Sequence, residues 1–175
     1  ILLEQDDYVS YHNLGILYRD NEDYDKAEPF LRKVTELNPD FSDAWTDLGK
    51  IHFRRNQKQE GVACIEKAIA ADETNELPYI NAGYYLIKLD DLKLALLYSE
   101  EGMRQGEEYC CPFNKAHVHF LQGEKDLAVE FYKKSLKAAE SEAEFIVDFQ
   151  ADFRLFANYN VTREEHDALL PLILK

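Results

Sequence analysis

The feature that most constrains the fold of this chain is an internal repeat with a period of 34 residues. One series of small residues recurs at spacings of 34, 34 and 33, and consists of Gly15, Gly49, Gly83 and Ala116. A second series has the same three spacings and consists of Ala27, Gly61, Ala95 and Ala128. Both series shorten by one residue at the same step, which indicates a deletion between Ala95 and Ala116. Two series that share a deletion predict one structural unit used four times.

Each unit is predicted to be two helices joined by a short turn. In the first unit the apolar residues before the polar turn NED fall at helical spacing, and a second apolar stripe follows it and ends at Asn38-Pro39. The small residues mark the points where the paired helices cross closely. A leucine at Gly15 or Ala27 is therefore expected to overpack the helix pair, at a cost of about 1–3 kcal/mol.

These residues resemble the tetratricopeptide repeat. The first unit carries the pattern Tyr11-x2-Leu14-Gly15-x2-Tyr18, Ala27-x3-Leu31 and Pro39, and the second carries Trp45-x2-Leu48-Gly49-x2-His52 and Gly61-x3-Ile65. The third and fourth units are looser, and Pro112 stands at the first aromatic position of the fourth. The resemblance implies an all-α fold, an α-solenoid of helix-turn-helix pairs in a right-handed superhelical array.

The repeat register predicts the organisation of the chain. The expected segments are the end of a preceding repeat helix at 1–7, repeats at 8–41, 42–75, 76–108 and 109–141, the last degenerate, and C-terminal capping helices at 142–175. Because Leu3 matches Leu37 in register, we expect at least one further repeat upstream.

The C-terminal segment is predicted to cover the last repeat. Four phenylalanines fall on one helical face, namely Phe145, Phe149, Phe153 and Phe156. Thr162 and Glu165 form a capping-box pattern for a last helix that ends near Leu174 and is bent or shortened at Pro171. The alternative is that the apolar stretch LLPLIL associates with a second copy of the chain, which would make a homo-oligomer through the C-terminal helices.

Composition argues against several classes of function. Acidic residues outnumber basic ones 34 to 20, for a formal net charge of −14, so nucleic acid and anionic membranes are not expected partners. The sequence lacks a signal segment, an apolar run of the ~20 residues that span a bilayer, and a disulfide framework, so a cytoplasmic location is expected. It also lacks hydrolase, zinc-protease and phosphate-loop motifs, so neither enzymatic activity nor a cofactor is expected.

The resemblance implies that function lies on a concave groove lined by the first helix of each pair. One groove position of each repeat is occupied by Asn13, Asp47, Asn81 and Asn114. An asparagine amide can donate to and accept from an extended peptide backbone, which Asp47 cannot do. The other groove candidates are Ile16, Lys50, Arg54, Ile80, Tyr84, Lys88 and His117. They suit a peptide with apolar side chains and one acidic group. The alternative is that these polar residues only lie on a solvated face and that the bases only balance local charge.

Three hypotheses of function follow. The chain is expected to be a non-catalytic scaffold or adaptor module whose groove binds a protein or peptide partner. The second hypothesis is a small acidic chaperone that resembles the tetratricopeptide chaperones of type III secretion, and the third is a self-assembling structural protein.

The stretch CCPFNKAHVH, which starts at Cys110, concentrates two cysteines and two histidines. His117 and His119 are two residues apart, about 200° around a helix, so they point to opposite sides and no metal site is expected. Cys111 is predicted to cap the helix, His119 to pack between helices, and His117 to face the groove.

Overall fold

The computed structural model describes residues 7–175, and all regular secondary structure in that range is helical. The α-helices are α1 (Tyr8–Asp20), α2 (Tyr24–Leu37), α3 (Ser42–Arg54), α4 (Lys58–Ala71), α5 (Leu77–Lys88), α6 (Leu92–Gln105), α7 (Cys110–Leu121), α8 (Lys125–Ala138), α9 (Glu142–Ala151), α10 (Arg163–Asp167) and α11 (Leu170–Ile173). A 3-10 helix, Asp152–Asn158, follows α9. No helix in this range is long and apolar enough to cross a membrane.

The predicted end of a preceding helix, at 1–7, lies outside the described residues except for Asp7. The Asp7 carboxylate accepts a hydrogen bond from the Ser10 N–H at 3.0 Å and caps α1. This bond satisfies one of the amide groups that a helix leaves unpaired in its first turn.

The chain divides into two compact units, the first ending at Asn81 and the second running from Ala82 to Lys175. In the first unit α1 packs against α2, α3 packs against α4, and α2 also contacts α3. Four fully buried side chains form the centre of one core cluster, namely Ala27, Leu31, Leu48 and Ile51. This arrangement confirms the predicted helix pairs.

The repeated small residues lie where paired helices meet, as predicted. A Cβ atom added to Gly15 would lie 2.6 Å from Cδ2 of Leu31 on the facing helix. A Cβ atom added to Gly61 would lie 2.5 Å from Cδ1 of Phe53. Such distances are well inside van der Waals contact, so any larger residue forces the buried partner to move.

The second unit is built on an aromatic core that the C-terminal segment completes. Its buried cluster consists of Phe113, Ala116, Ala128, Tyr132, Phe145, Phe149, Leu169 and Ile173. Both α9 and α11 pack against α8, so the segment covers the last helix pair as predicted. Two residues of the LLPLIL stretch, Leu169 and Ile173, are buried in this cluster.

The C-terminal helices are shorter than the sequence pattern suggests. The helix that carries Phe145 and Phe149 ends at Ala151 and continues as the 3-10 helix. The last predicted helix is split into α10 and α11, and Pro171 lies in the first turn of α11, where a missing N–H costs nothing. The predicted capping box is present: the Glu165 N–H donates to Thr162 Oγ1 at 3.1 Å and the Thr162 N–H donates to the Glu165 carboxylate at 2.8 Å.

The prediction that Cys111 caps α7 is wrong. The helix begins at Cys110, and the Glu107 carboxylate accepts hydrogen bonds from the backbone N–H groups of Tyr109 at 2.9 Å, of Cys110 at 2.7 Å and of Cys111. An ionised carboxylate is a far stronger acceptor than a thiol, so a glutamate upstream of the helix takes this role.

Candidate functional site

The predicted groove residues of the first unit lie on α1, α3 and the start of α5. Asn13 and Arg54 are exposed, whereas Ile16, Lys50, Ile80 and Asn81 are partly buried. Asp47 is the exception, because only 6% of its surface is exposed.

Asp47 is held by three neighbours within the first unit. Its carboxylate lies 3.1 Å from His12 Nε2 and 3.5 Å from Lys50 Nζ, and it forms an ion pair with Arg19. Burial raises the pKa of Asp47, but the hydrogen bond with His12 and the charges of Arg19 and Lys50 outweigh it and leave the pKa below its ordinary value. The carboxylate is therefore ionised at neutral pH and joins α3 to α1. An aspartate at this position serves packing between the two repeats.

The predicted basic residues also have partners within their own unit. Lys50 pairs with Asp47, and Arg54 Nη1 lies 3.8 Å from Glu22. In the second unit the Lys88 ammonium lies 5.6 Å from the ring centroid of Tyr84. These contacts favour the interpretation that the bases balance local charge.

The asparagine series is not uniform. The side-chain amide of Asn81 donates to the Leu77 carbonyl at 2.7 Å, and Asn13 is exposed. Asn114, in the second unit, is only 4% exposed, and its amide nitrogen lies 2.8 Å from the position of a Cβ atom on Gly83. Of the three asparagines, only Asn13 and Asn81 remain able to contact a peptide on the surface.

His117 is a core residue. It is fully buried, and its ring lies 4.9–5.4 Å, between centroids, from the rings of Phe113, Tyr132 and Phe156. Burial, with a smaller effect from His166, lowers the pKa of His117 to about 3, so the ring is neutral. The predicted groove role of His117 does not fit this position, because the 3-10 helix covers it. His119 packs as predicted, with its ring stacked on Phe131 and Nδ1 2.6 Å from Glu124.

Cys110 and Cys111 lie at the start of α7. Within the described part of the chain, no group of three or more His, Cys, Asp or Glu side chains is arranged to hold a metal ion. Burial raises the pKa of the Cys110 thiol to about 12, so it is also a poor nucleophile.

A cavity of about 520 Å³ opens in the first unit, between the α2–α3 and α4–α5 connections. It is lined by Asp40, Phe41, Ser42, Asp43, Asp72, Thr74, Asn75, Glu76, Leu77 and Ile80. We call it the turn pocket. Of these residues, the sequence predicted only Ile80 as a binding residue. Most of the others lie in the two connections, which the repeat pattern does not describe, and Ser42, Asp43 and Leu77 lie in the first turns of α3 and α5.

Hydrogen bonds fix the walls of the turn pocket. The Asn75 amide donates to Ser42 Oγ at 3.0 Å and to Asp43 Oδ1 at 2.8 Å, which ties the α4–α5 connection to the start of α3. Asp72 accepts from the Thr74 N–H at 3.0 Å within that connection. The pocket is therefore a feature of the fold and does not depend on a flexible loop.

An aromatic surface continues from the turn pocket towards α1. The Phe41 ring lies 4.8 Å from the His12 ring and 5.5 Å from the Tyr8 ring, between centroids. Asn13 directly follows His12, and Asn81 directly follows Ile80. Apolar rings and the two accessible asparagines thus lie along one set of helices, α1, α3 and α5.

Comparison with known proteins agrees with the repeated helix pairs seen in the structure. A sequence model of the tetratricopeptide repeat matches residues 8–41, and a second model with the same description matches 42–75 and 113–142. Anaphase-promoting complex subunit 3 of Schizosaccharomyces pombe is 27% identical over 116 residues, which is 66% of this chain. The match spans only 16% of that protein's length.

Two solved structures show the same fold at low identity. The APC/C hetero-tetramer Cut9-Hcn1 superposes with a TM-score of 0.72 at 15% identity, over 96% of this chain and 34% of that one. YrrB, described as a TPR protein with an unusual peptide-binding site, superposes with a TM-score of 0.62 at 22% identity, over 98% of this chain and 87% of that one.

Proposed function

Because this chain belongs to the tetratricopeptide repeat family, we propose that it is a non-catalytic interaction module that binds an extended segment of a protein partner. The binding surface is the face of the first unit formed by α1, α3 and the start of α5. The observation that carries the proposal is the turn pocket, an open cavity with Phe41, Leu77 and Ile80 in its wall. An apolar side chain of the partner enters the pocket while its backbone follows the helices.

The known proteins support this proposal in two ways. YrrB has the same fold and is described by its peptide-binding site, and Cut9 is described in a hetero-tetramer with Hcn1. The fold therefore serves both for peptide recognition and for assembly with other proteins. These two proteins support a scaffold role within a larger assembly for this chain.

The two accessible asparagines supply part of the affinity. A peptide hydrogen bond contributes a net ~1 kcal/mol, so Asn13 and Asn81 together contribute up to about thirtyfold in affinity. Burial of partner side chains in the turn pocket supplies the rest, at roughly 25 cal/mol per Å² of apolar surface.

The experiment is affinity purification from the source cells, followed by hydrogen exchange on the complex with any recovered partner. Substitution of Asn13→Ala, Asn81→Ala and Ile80→Ser together is expected to lose the partner. Glu130→Ala, an exposed change on α8, is the control and is expected to retain it. A partner that remains bound to the triple variant, or that protects only amides outside α1, α3 and α5, contradicts the proposal. Asn114 is left unchanged because its substitution alters the core.

Two alternatives remain hypotheses. Self-assembly through the C-terminal helices would have less apolar surface than the sequence suggests, because Leu169 and Ile173 are buried within the unit. A secretion-type chaperone would use the same face of the first unit, and the identity of the recovered partner separates it from the scaffold role.

A further inference from the structure

The apolar part of the turn pocket can accept a side chain of moderate size. Leu77 is 47% exposed, whereas Leu31 and Leu48 in the same unit are fully buried. Phe41 and Ile80 are only partly buried beside it. These three side chains line a cavity of about 520 Å³, which is within the range of known ligand sites.

The rim of the turn pocket is strongly acidic. Four of its lining residues are carboxylates, namely Asp40, Asp43, Asp72 and Glu76, and none of the described residues that line it is basic. Hydrogen bonds from the Thr74 side chain and backbone lower the pKa of Asp72, so it is ionised at neutral pH. The Asn75 amide binds Asp43 without cancelling its charge. The pocket therefore combines an apolar wall with four negative charges.

The N-termini of the nearby helices do not cancel the negative charge of the turn pocket. The N-termini of α3 and α5 lie at the pocket, and each carries the equivalent of roughly +0.5 charge from its macrodipole. Together they offset about one of the four negative charges. The remaining carboxylates line the same pocket, so their attractions for a cation add.

We propose that the turn pocket takes an apolar side chain from a basic segment of the partner, with lysine or arginine on either side of that residue. This inference rests on the proposed function and specifies the charge of the partner. It reverses the sequence-based expectation of a peptide with apolar side chains and one acidic group. That expectation depended on Lys50, Arg54 and Lys88. Lys50 and Arg54 lie near Asp47 and Glu22, and Lys88 lies beside the Tyr84 ring.

The test is selection of a random octapeptide phage library on the immobilised full chain, followed by fluorescence anisotropy with the enriched peptides. The inference predicts peptides with at least two basic residues beside Leu, Ile, Met or Phe. Asp40→Asn with Glu76→Gln removes two rim charges and is expected to weaken binding by about fivefold or more.

The matched control removes the same charge from another surface of the same unit. Glu60→Gln with Glu66→Gln changes two exposed carboxylates on α4 and is expected to change affinity by less than twofold. Ile80→Ser, checked for folding by circular dichroism, is expected to weaken binding about tenfold through loss of apolar contact.

Failure of this inference can be told apart from failure of the proposed function. Enriched peptides that are acidic or neutral, or equal weakening in both charge pairs, overturn the basic-segment inference. If acidic or neutral peptides are enriched and bind the Asn13→Ala and Asn81→Ala variant more weakly than the wild type, the proposed peptide-binding function stands and only the basic-segment inference fails. If no peptide is enriched, both proposals fail.

Discussion

At residue 47 the carboxylate of an aspartate meets His12, Arg19 and Lys50 inside the first unit. Asp47→Asn keeps the shape of the side chain but removes its charge, which leaves Arg19 with a weaker partner. We expect a loss of about 1–3 kcal/mol in the free energy of unfolding, measured by urea denaturation. Asp20→Asn, which changes the exposed partner of the same arginine, is expected to cost less than about 1 kcal/mol. Equal losses in the two variants would show that the buried pair has no special role.

His117 predicts a pH dependence of stability. Its pKa is about 3 in the folded state and roughly 6.5 when unfolded, so between these values only the unfolded state binds the proton. The stability due to neutral His117 is complete above about pH 6.5 and is lost as the pH falls towards 3. The slope reaches about 1.4 kcal/mol per pH unit.

The substitution His117→Phe isolates this contribution. His166 adds in the same direction because burial lowers its pKa, and Asp152 opposes both because burial raises its pKa to about 6. These two groups remain in the variant, so the difference between variant and wild type reports His117 together with its interaction with His166. Urea unfolding at pH 7, 6 and 5 is expected to show the variant gaining relative stability as the pH falls. Parallel stability curves would contradict the buried position of His117.

Gly61 tests whether close packing outweighs helix propensity. Alanine favours a helix over glycine by about 1 kcal/mol, yet a Cβ atom here meets the buried Phe53 ring at 2.5 Å. We expect Gly61→Ala to destabilise the chain by about 1–3 kcal/mol in thermal or urea unfolding. Gly49→Ala is expected to destabilise the chain less, because the added Cβ atom would lie 3.2 Å from its nearest neighbour, Cδ1 at the flexible end of the Ile65 side chain. A more stable Gly61→Ala would show that the helix pair can separate.

Individual residues show how far the repeat pattern can predict a site. Asn114 and His117 occupy the same register positions as Asn13 and Ile16, so the sequence assigns them to the same surface. His117 is buried against Phe156, which comes 39 residues later, and Asn114 is buried beside Gly83, which comes 31 residues earlier. A local pattern carries no signal of either contact. Most of the turn-pocket residues were missed because they lie in or beside connections, which the repeat consensus does not describe.

At the level of elements, the start of α7 depends on a residue outside the helix. Glu107 is 6% exposed and accepts from three backbone N–H groups. Glu107→Ala leaves them without this acceptor, and we expect a loss of about 1–3 kcal/mol in the free energy of unfolding. Glu107→Gln, which retains one oxygen acceptor, is expected to lose less. If both variants unfold like the wild type, water replaces the cap.

The helix pairs follow from the 34-residue period and the small residues at the crossings, both visible in the sequence. The end of α9 at Ala151 could not be predicted from the sequence, because the helical spacing of the phenylalanines continues into the 3-10 helix. Both helix types place residues three apart on nearly the same face, so the pattern cannot distinguish them. The capping box at Thr162 was predictable because it depends on local chemistry alone.

For the whole molecule, the C-terminal segment is predicted to keep the second unit monomeric. Deletion of residues 142–175 removes Phe145 and Phe149 from contact with Tyr132 and exposes that aromatic surface. We expect the truncated chain to have a lower melting temperature in thermal unfolding and a molar mass in light scattering that rises with protein concentration. The full chain measured in parallel is the control. A truncated chain that stays monomeric and equally stable would contradict the covering role.

The net charge of −14 was evident from composition, but its placement was not. The turn pocket collects its carboxylates from two segments about 30 residues apart, 40–43 and 72–76, and only the folded chain brings them together.

The packing of α9 and α11 on α8 has a further consequence for engineering. In the first unit α3 lies against α2, and in the second α7 lies against α6, so each new pair docks on the second helix of the pair before it. On α8 that docking place is already filled. A longer array must therefore be made by inserting repeats before residue 142, since a repeat fused after Lys175 would have nothing to stack on.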